Sequence, residues 1–161
     1  MIQEKYNRRI YDEGTEAAIR EFSHLRTNAL SPVHISSSDK VLIFNPESTA
    51  IVEWLESVAD SVVVASDDLS EIDETFDIII NIATVTETAS TLKKYLKDGG
   101  RLIYVLPEKP MGVDLVKKLL DEAGMKVDET YRLLPDYLFT TEIYAEDYIK
   151  GGAGDYLLIA K

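Results

Sequence analysis

The chain has 161 residues, 45% hydrophobic and 29% charged, with a formal net charge of −12 and no cysteine. That length bounds one domain with one substantial core, of the composition usual for a soluble globular protein. The missing thiols exclude disulfides, thiolate metal sites and cysteine nucleophiles, and the negative balance argues against nucleic-acid partners.

Residues 1–14, with Tyr6, Arg8, Arg9 and Tyr11, read as an arm or short helix. They lack the apolar core of a signal peptide, and no apolar run approaches the ~20 residues that span a bilayer, so a cytoplasmic protein without a membrane partner is expected. Thr15 is a plausible N-cap, and Ala18, Phe22, Leu25 and Ala29 follow at helical spacing with Ile19 and Leu30 beside them. Pro32 and Ser36–Ser38 end that helical segment. Residues 1–38 are therefore an N-terminal helical extension of a single domain spanning 1–161.

Val41–Asn45 is an unbroken apolar run that predicts a strand buried on both faces. Ser48 is placed to cap a helix carrying Ile51, Trp54, Leu55 and Val58. Ser61–Ala65 and Phe76–Ile82 predict the next two strands. A helix is expected over Thr86–Lys97, with Val85, Ala89, Leu92 and Leu96 on one face, closed at Asp98-Gly99-Gly100 by glycines suited to left-handed backbone. Arg101–Leu106 predicts a strand. Leu115, Val116, Leu119, Leu120 and Ala123 predict a helix stopped at Gly124. Lys126–Leu134 and Asp155–Lys161 predict two last strands, an antiparallel pair. Strands alternating with helices give an α/β class: a doubly wound, Rossmann-like, mostly parallel sheet.

Several phrases resemble class I S-adenosylmethionine-dependent methyltransferases across residues 39–161. DKVLIFNPES resembles the strand and glycine-rich turn of the first motif. FDIIINIA resembles the fourth-strand motif, LKDGGRLIYVLP the phrase before strand five, LLDEAGMKV the helix that follows, and GDYLLIAK the closing strand. The tyrosine-rich PDYLFTTEIYAEDY also resembles segments of methyltransferase-like proteins linked to bacterial surface-glycan assembly.

The resemblance implies a methyltransferase-like fold and S-adenosyl-L-methionine as cofactor. It places the cofactor at Asn45, Pro46, Glu47 and Ser48, at Asp67 or Asp68 for the ribose, and at Ile82 and Ala83. It names no catalytic residue. The sequence departs from the family at the turn, where Asn45, Glu47 and Thr49 replace glycines. A side chain there narrows the approach and opposes a turn with φ > 0, although asparagine tolerates the left-handed region best. The turn is equally readable as a helix cap that needs no ligand, and Asp67 as a solvated loop residue.

The second departure is length. Only Ser66–Thr75 join the second strand to the third. The return path is ~20 Å; ten extended residues reach ~33 Å but only ~15 Å as a helix. A parallel crossover fits with at most one helical turn, so the helix and edge strand that the family places here are expected to be missing.

Other chemistry finds less support. G-x-G-x-x-G and P-loop patterns are absent. His24, on the polar side of the first helix, and His34, in a loop, have no companion at metal-ligand spacing. Asp67, Asp68, Glu71, Asp73 and Glu74 lack the EF-hand pattern and read as a solvated acidic loop. Lys93, Lys94 and Lys97 read as a solvated helix face. Asn81-Ile82-Ala83-Thr84 lacks the prolines and aromatic residue of an Asn-Pro-Pro-Tyr motif. The loop Pro135–Gly154, with Tyr137, Phe139, Tyr144 and Tyr148, suits a sugar-like substrate, a core cover or a homodimer contact, with packing favoured. Two functions stay open: a methyltransferase acting on a small or glycan-related acceptor, and a non-catalytic descendant kept for binding or assembly.

Overall fold

The computed structural model describes residues 8, 10–44, 46–65, 68–83, 87–108, 112–146 and 154–161. Asn45, Asp67, Val85 and Tyr148 lie outside them. Seven strands form one sheet in the order β2-β1-β3-β4-β7-β5-β6. β1 (Lys40–Phe44), β2 (Ser61–Ala65), β3 (Phe76–Ile82) and β4 (Leu96–Leu106) run parallel. β7 (Asp155–Ala160) returns antiparallel between β4 and β5 (Val127–Leu134), and β6 (Glu142–Ala145) pairs antiparallel with the outer side of β5. This is the expected Rossmann-like α/β architecture with its antiparallel C-terminal strands.

The central strands are apolar on both sides because each face is covered. On one side Leu42, Phe44, Ile79, Leu102 and Tyr104 pack with Leu92, Val116 and Leu120. Those last three come from α4 (Ala89–Lys93) and α5 (Val113–Glu122). On the other side Val41, Ile43, Ile78, Ile80 and Ile103 pack with Leu30, Ile51 and Leu55. Ile51 and Leu55 lie on α3 (Thr49–Val58), which starts where Ser48 Oγ accepts the Ile51 amide at 3.2 Å, as expected of a cap.

The connection after β2 is short. Its described part, residues 68–75, contains no helix or strand, and Leu69 and Ile72 press it onto the first face. β2 is therefore the outer strand, in line with a missing helix and strand.

Several sequence expectations are corrected. The first helical segment is two helices, α1 (Glu16–Phe22) and α2 (Leu25–Asn28), broken at Ser23 and His24. Thr15 caps α1 as expected, but His24 sits at the exposed start of α2 rather than on a helix face. The helix expected over Thr86–Lys97 shrinks to α4, because β4 begins at Leu96. Gly99 (φ 77°) is thus inside a strand beside an irregularity in the β3–β4 register, and it closes no helix. The three lysines share no helix face either, since Lys97 lies on β4 and binds Asp77 at 2.9 Å. Finally, the connection Pro135–Gly154 holds a strand, β6, and is not structureless.

Candidate functional site

A doubly wound sheet binds ligands at the carboxyl edge of its strands, where the chain changes its winding direction. Here β1 leads outward to β2, whereas β3 and β4 lie on its other side, so that point falls between β1 and β3. Both strands end there in unusual backbone. Glu47, just beyond β1, has φ 47°, and Ala83, just beyond β3, has φ 51°. These are the only non-glycine residues with positive φ among the described residues. The turn after β1 adopts left-handed backbone at Glu47 although no glycine stands there, so the opposition of its side chain is a cost and not a bar. Ala83 is held by its backbone N–H, which donates a hydrogen bond to the Val105 carbonyl at 2.7 Å.

The N-terminal helices close over this turn. Ser48 Oγ donates to the Glu21 carbonyl at 3.0 Å, and Thr49 Oγ1 donates to the Glu21 carboxylate at 2.8 Å. Arg26, on α2, is 1% exposed. Its Nη1 donates to the Arg20 carbonyl at 3.0 Å and its Nη2 to the Pro46 carbonyl at 3.4 Å. Its Nε has no partner, and no carboxylate lies within ion-pair distance among the described residues. Burial lowers the Arg26 pKa from its ordinary value, while Tyr137 and Glu47 oppose that shift and Arg20 adds to it. A buried guanidinium with no carboxylate in ion-pair contact is costly, and such groups cluster at functional sites.

Tyr137 covers Arg26 from the other side, its ring centroid 5.6 Å from the guanidinium carbon. Burial raises the Tyr137 pKa, helped by Glu47 and opposed by Arg26. The segment carrying Tyr137 is fixed by Asp155, which accepts the Tyr137 and Glu108 amides, both at 2.8 Å. Asn28 Nδ2 fastens the same segment to α2 through the Thr140 carbonyl at 2.8 Å.

The expected site residues separate into groups. Pro46, Glu47 and Ser48 line a groove of about 620 Å³ with Ala17, Arg20 and Glu21. Ser48 is buried as a cap and Glu47 is exposed. Asp68 is exposed beyond β2, and its carboxylate accepts the Ser70 amide at 2.8 Å, which lowers its pKa. Ile82 is buried in the second core face. Ala83 follows β3 at the same carboxyl edge of the sheet, and none of Ile82, Ala83 and Asp68 lines the groove. Asn45 and Asp67 lie outside the described residues.

Sequence reasoning missed Arg26, which comes from outside the matched motifs, and it named Tyr137 only as one aromatic of the loop, without its contact to Arg26. It also gave no part to Tyr104. Tyr104 is a neighbour of Asn81 in the β3–β4 register, and both are buried with an unpartnered oxygen, the Tyr104 hydroxyl and Asn81 Oδ1. Among the described residues no three His, Asp or Glu are grouped to hold a metal, and no helix is long and apolar enough to cross a membrane.

No family model matches the sequence, and no curated relative matches it. Solved structures do match. The glycopeptide N-methyltransferase MtfA is similar at TM-score 0.55 and 12% identity, over 86% of this chain and 89% of that one. A TehB-like SAM-dependent methyltransferase from Corynebacterium glutamicum is similar at TM-score 0.53 and 10% identity, over 99% of this chain and 97% of that one. A precorrin-6y C5,15-methyltransferase from Geobacter metallireducens is similar at TM-score 0.52 and 9% identity, over 84% and 85%. At such identities the likeness concerns architecture, and the chain has the Rossmann-like fold of these methyltransferases.

Proposed function

We propose that the protein binds S-adenosylmethionine at the carboxyl ends of β1 and β3 and passes its methyl group to a small or glycan-related acceptor. One observation carries this reading. Glu47 and Ala83 both hold strained backbone, just beyond the carboxyl ends of the neighbouring strands β1 and β3. Such strain costs about 1–3 kcal/mol per residue and persists chiefly where a site depends on the shape.

The residues present fit the donor at its carboxylate end. Arg26 is a buried cation with an unpartnered Nε beside the turn, and the first turn of α3 offers an anion-favouring helix end. Asp67 or Asp68 stands for the ribose contact. The bound donor would supply an activated methyl group. The protein's part is then mainly positioning, which needs no strong base. Tyr137, at the same edge, offers an aromatic face to a sugar-like acceptor.

A second reading has its own observation. The Glu21 carboxylate already sits on Thr49 at the start of α3. In that reading the chain's own N-terminal helix fills the anion position, and the fold serves binding or assembly without catalysis. Titration calorimetry with S-adenosylmethionine and its demethylated product separates the two. Heat of binding supports the first. No heat and no thermal shift at high ligand concentration rejects it and leaves the second. Where binding is seen, Asn45→Leu and Asp67→Ala are each expected to weaken it; unchanged affinity in both would remove those contacts from the site.

A further inference from the structure

The outer edge of β2 is open in a way the opposite edge is not. Its sequence, SVVVA, has no charge and no proline, and Val64 is 51% exposed. Among the described residues, its amides and carbonyls make no backbone bond outside the ladder with β1. The opposite edge, β6, is four residues long and carries Glu142. Sheets commonly protect an edge with shortness or charge, because bare amides and carbonyls recruit further strands. β6 is protected in that way and β2 is not.

The surroundings of β2 say what would pair with it. Between Val41 and Leu92 the sequence holds eleven Asp and Glu and no Lys, Arg or His. α3, which packs beside β2, brings Glu53 and Glu56; Asp60 precedes the strand; Asp68, Glu71 and Asp73 follow it. None of these six forms an ion pair among the described residues. A second copy would bring two such acidic rims together, and like charges across an interface cost several kcal/mol.

We propose that the β2 edge takes an extended segment of another protein as an eighth strand, apolar at alternate positions and flanked by Lys or Arg. Main-chain hydrogen bonds supply the affinity of such pairing and the flanks supply its selectivity. The inference is independent of the cofactor reading.

Fluorescence anisotropy with labelled peptides on the intact chain tests it. A basic-flanked alternating peptide, KKTVTVTVKK, is compared with EETVTVTVEE and with the proline-broken KKTVPVPVKK. The first is expected to bind about ten-fold or more tighter than either control, since one lacks the charge and the other the main-chain donors. Val64→Lys, at an exposed position, is expected to weaken it by a similar factor. Equal binding of the proline-broken peptide would reduce the effect to charge and overturn the proposal. So would absence of binding, or a dimer in light scattering that Val64→Lys dissociates.

Discussion

Arg26 concentrates the tension in this molecule. Its guanidinium is buried against carbonyls and a tyrosine ring, with no ion-pair partner among the described residues, and Glu47 and Asp136 act on it only from beyond contact distance. Arg26→Met removes a buried charge but leaves the Arg20 and Pro46 carbonyls without their donor, two effects of opposite sign. The variant is therefore expected to shift the thermal midpoint only slightly. If Arg26 serves the donor carboxylate, the same variant weakens binding by about ten-fold or more in calorimetry, the worth of a hydrogen bond to a charged group. A fall in stability with unchanged affinity would make Arg26 a purely structural fastener.

Tyr104 is the complementary case. Its hydroxyl is buried without a partner, and burial pushes its pKa up to about 12. Tyr104→Phe removes that unpaired group and is expected to raise stability by about 1 kcal/mol in urea unfolding. The folded-state pKa lies above the ordinary tyrosine value. The associated stability is thus complete below about pH 10 and is lost as pH rises toward 12. Alkaline unfolding followed by circular dichroism is expected to be less steep in the Phe variant. Asp77 works in the opposite sense. Burial opposes its ionisation, but the Lys40 amide and the Lys97 ammonium outweigh burial and hold its pKa below the ordinary value. Its contribution is present above the ordinary aspartate range and fades as pH falls through the lowered one, so Asp77→Asn flattens acid unfolding. Little of this is readable from residue types. An arginine on a short helix looks solvated until the packing around it is known, and Glu47 and Ala83 are types that ordinarily avoid left-handed backbone.

Among the elements, the strands with long β-branched runs are the legible ones. SVVVA and FDIIINI begin and end where the sequence says, because β-branched runs favour strands, although only FDIIINI is buried and SVVVA is half-exposed at the sheet edge. LKDGGRL misleads for a definite reason. Leucine and lysine followed by two glycines have the pattern of a helix end, yet here they start β4, and the glycines serve a kinked strand. A Cβ built on Gly100 would lie 2.9 Å from the Lys97 carbonyl oxygen and 3.2 Å from that of Asp77. These are backbone atoms that cannot swing aside, so Gly100→Ala is expected to cost about 1–3 kcal/mol. An Ala variant as stable as the parent would mean that β4 starts later than Leu96. β6 escaped notice because EIYA is too short to establish an alternation of its own.

At the scale of the whole molecule, charge is lopsided. The net charge is −12, and the stretch from Val41 to Leu92 carries acids without a single base. Such a surface repels itself, and salt screens exposed charges. The thermal midpoint is therefore expected to rise as sodium chloride increases from low to moderate concentration; a falling midpoint would show that ion pairs such as Lys40–Glu74 and Lys97–Asp77 outweigh the repulsion. The overall winding was legible from the alternation of strands and helices. The closure of the N-terminal helices over the first turn was not, since it depends on contacts between residues far apart in sequence, such as Asn28 with Thr140.

The unequal edges of the sheet also set where any assembly grows. A molecule receptive along both borders would stack end upon end into filaments. With β6 short and charged, this molecule would extend its sheet at one border alone, and whether growth continues is then decided by the outer edge of the guest.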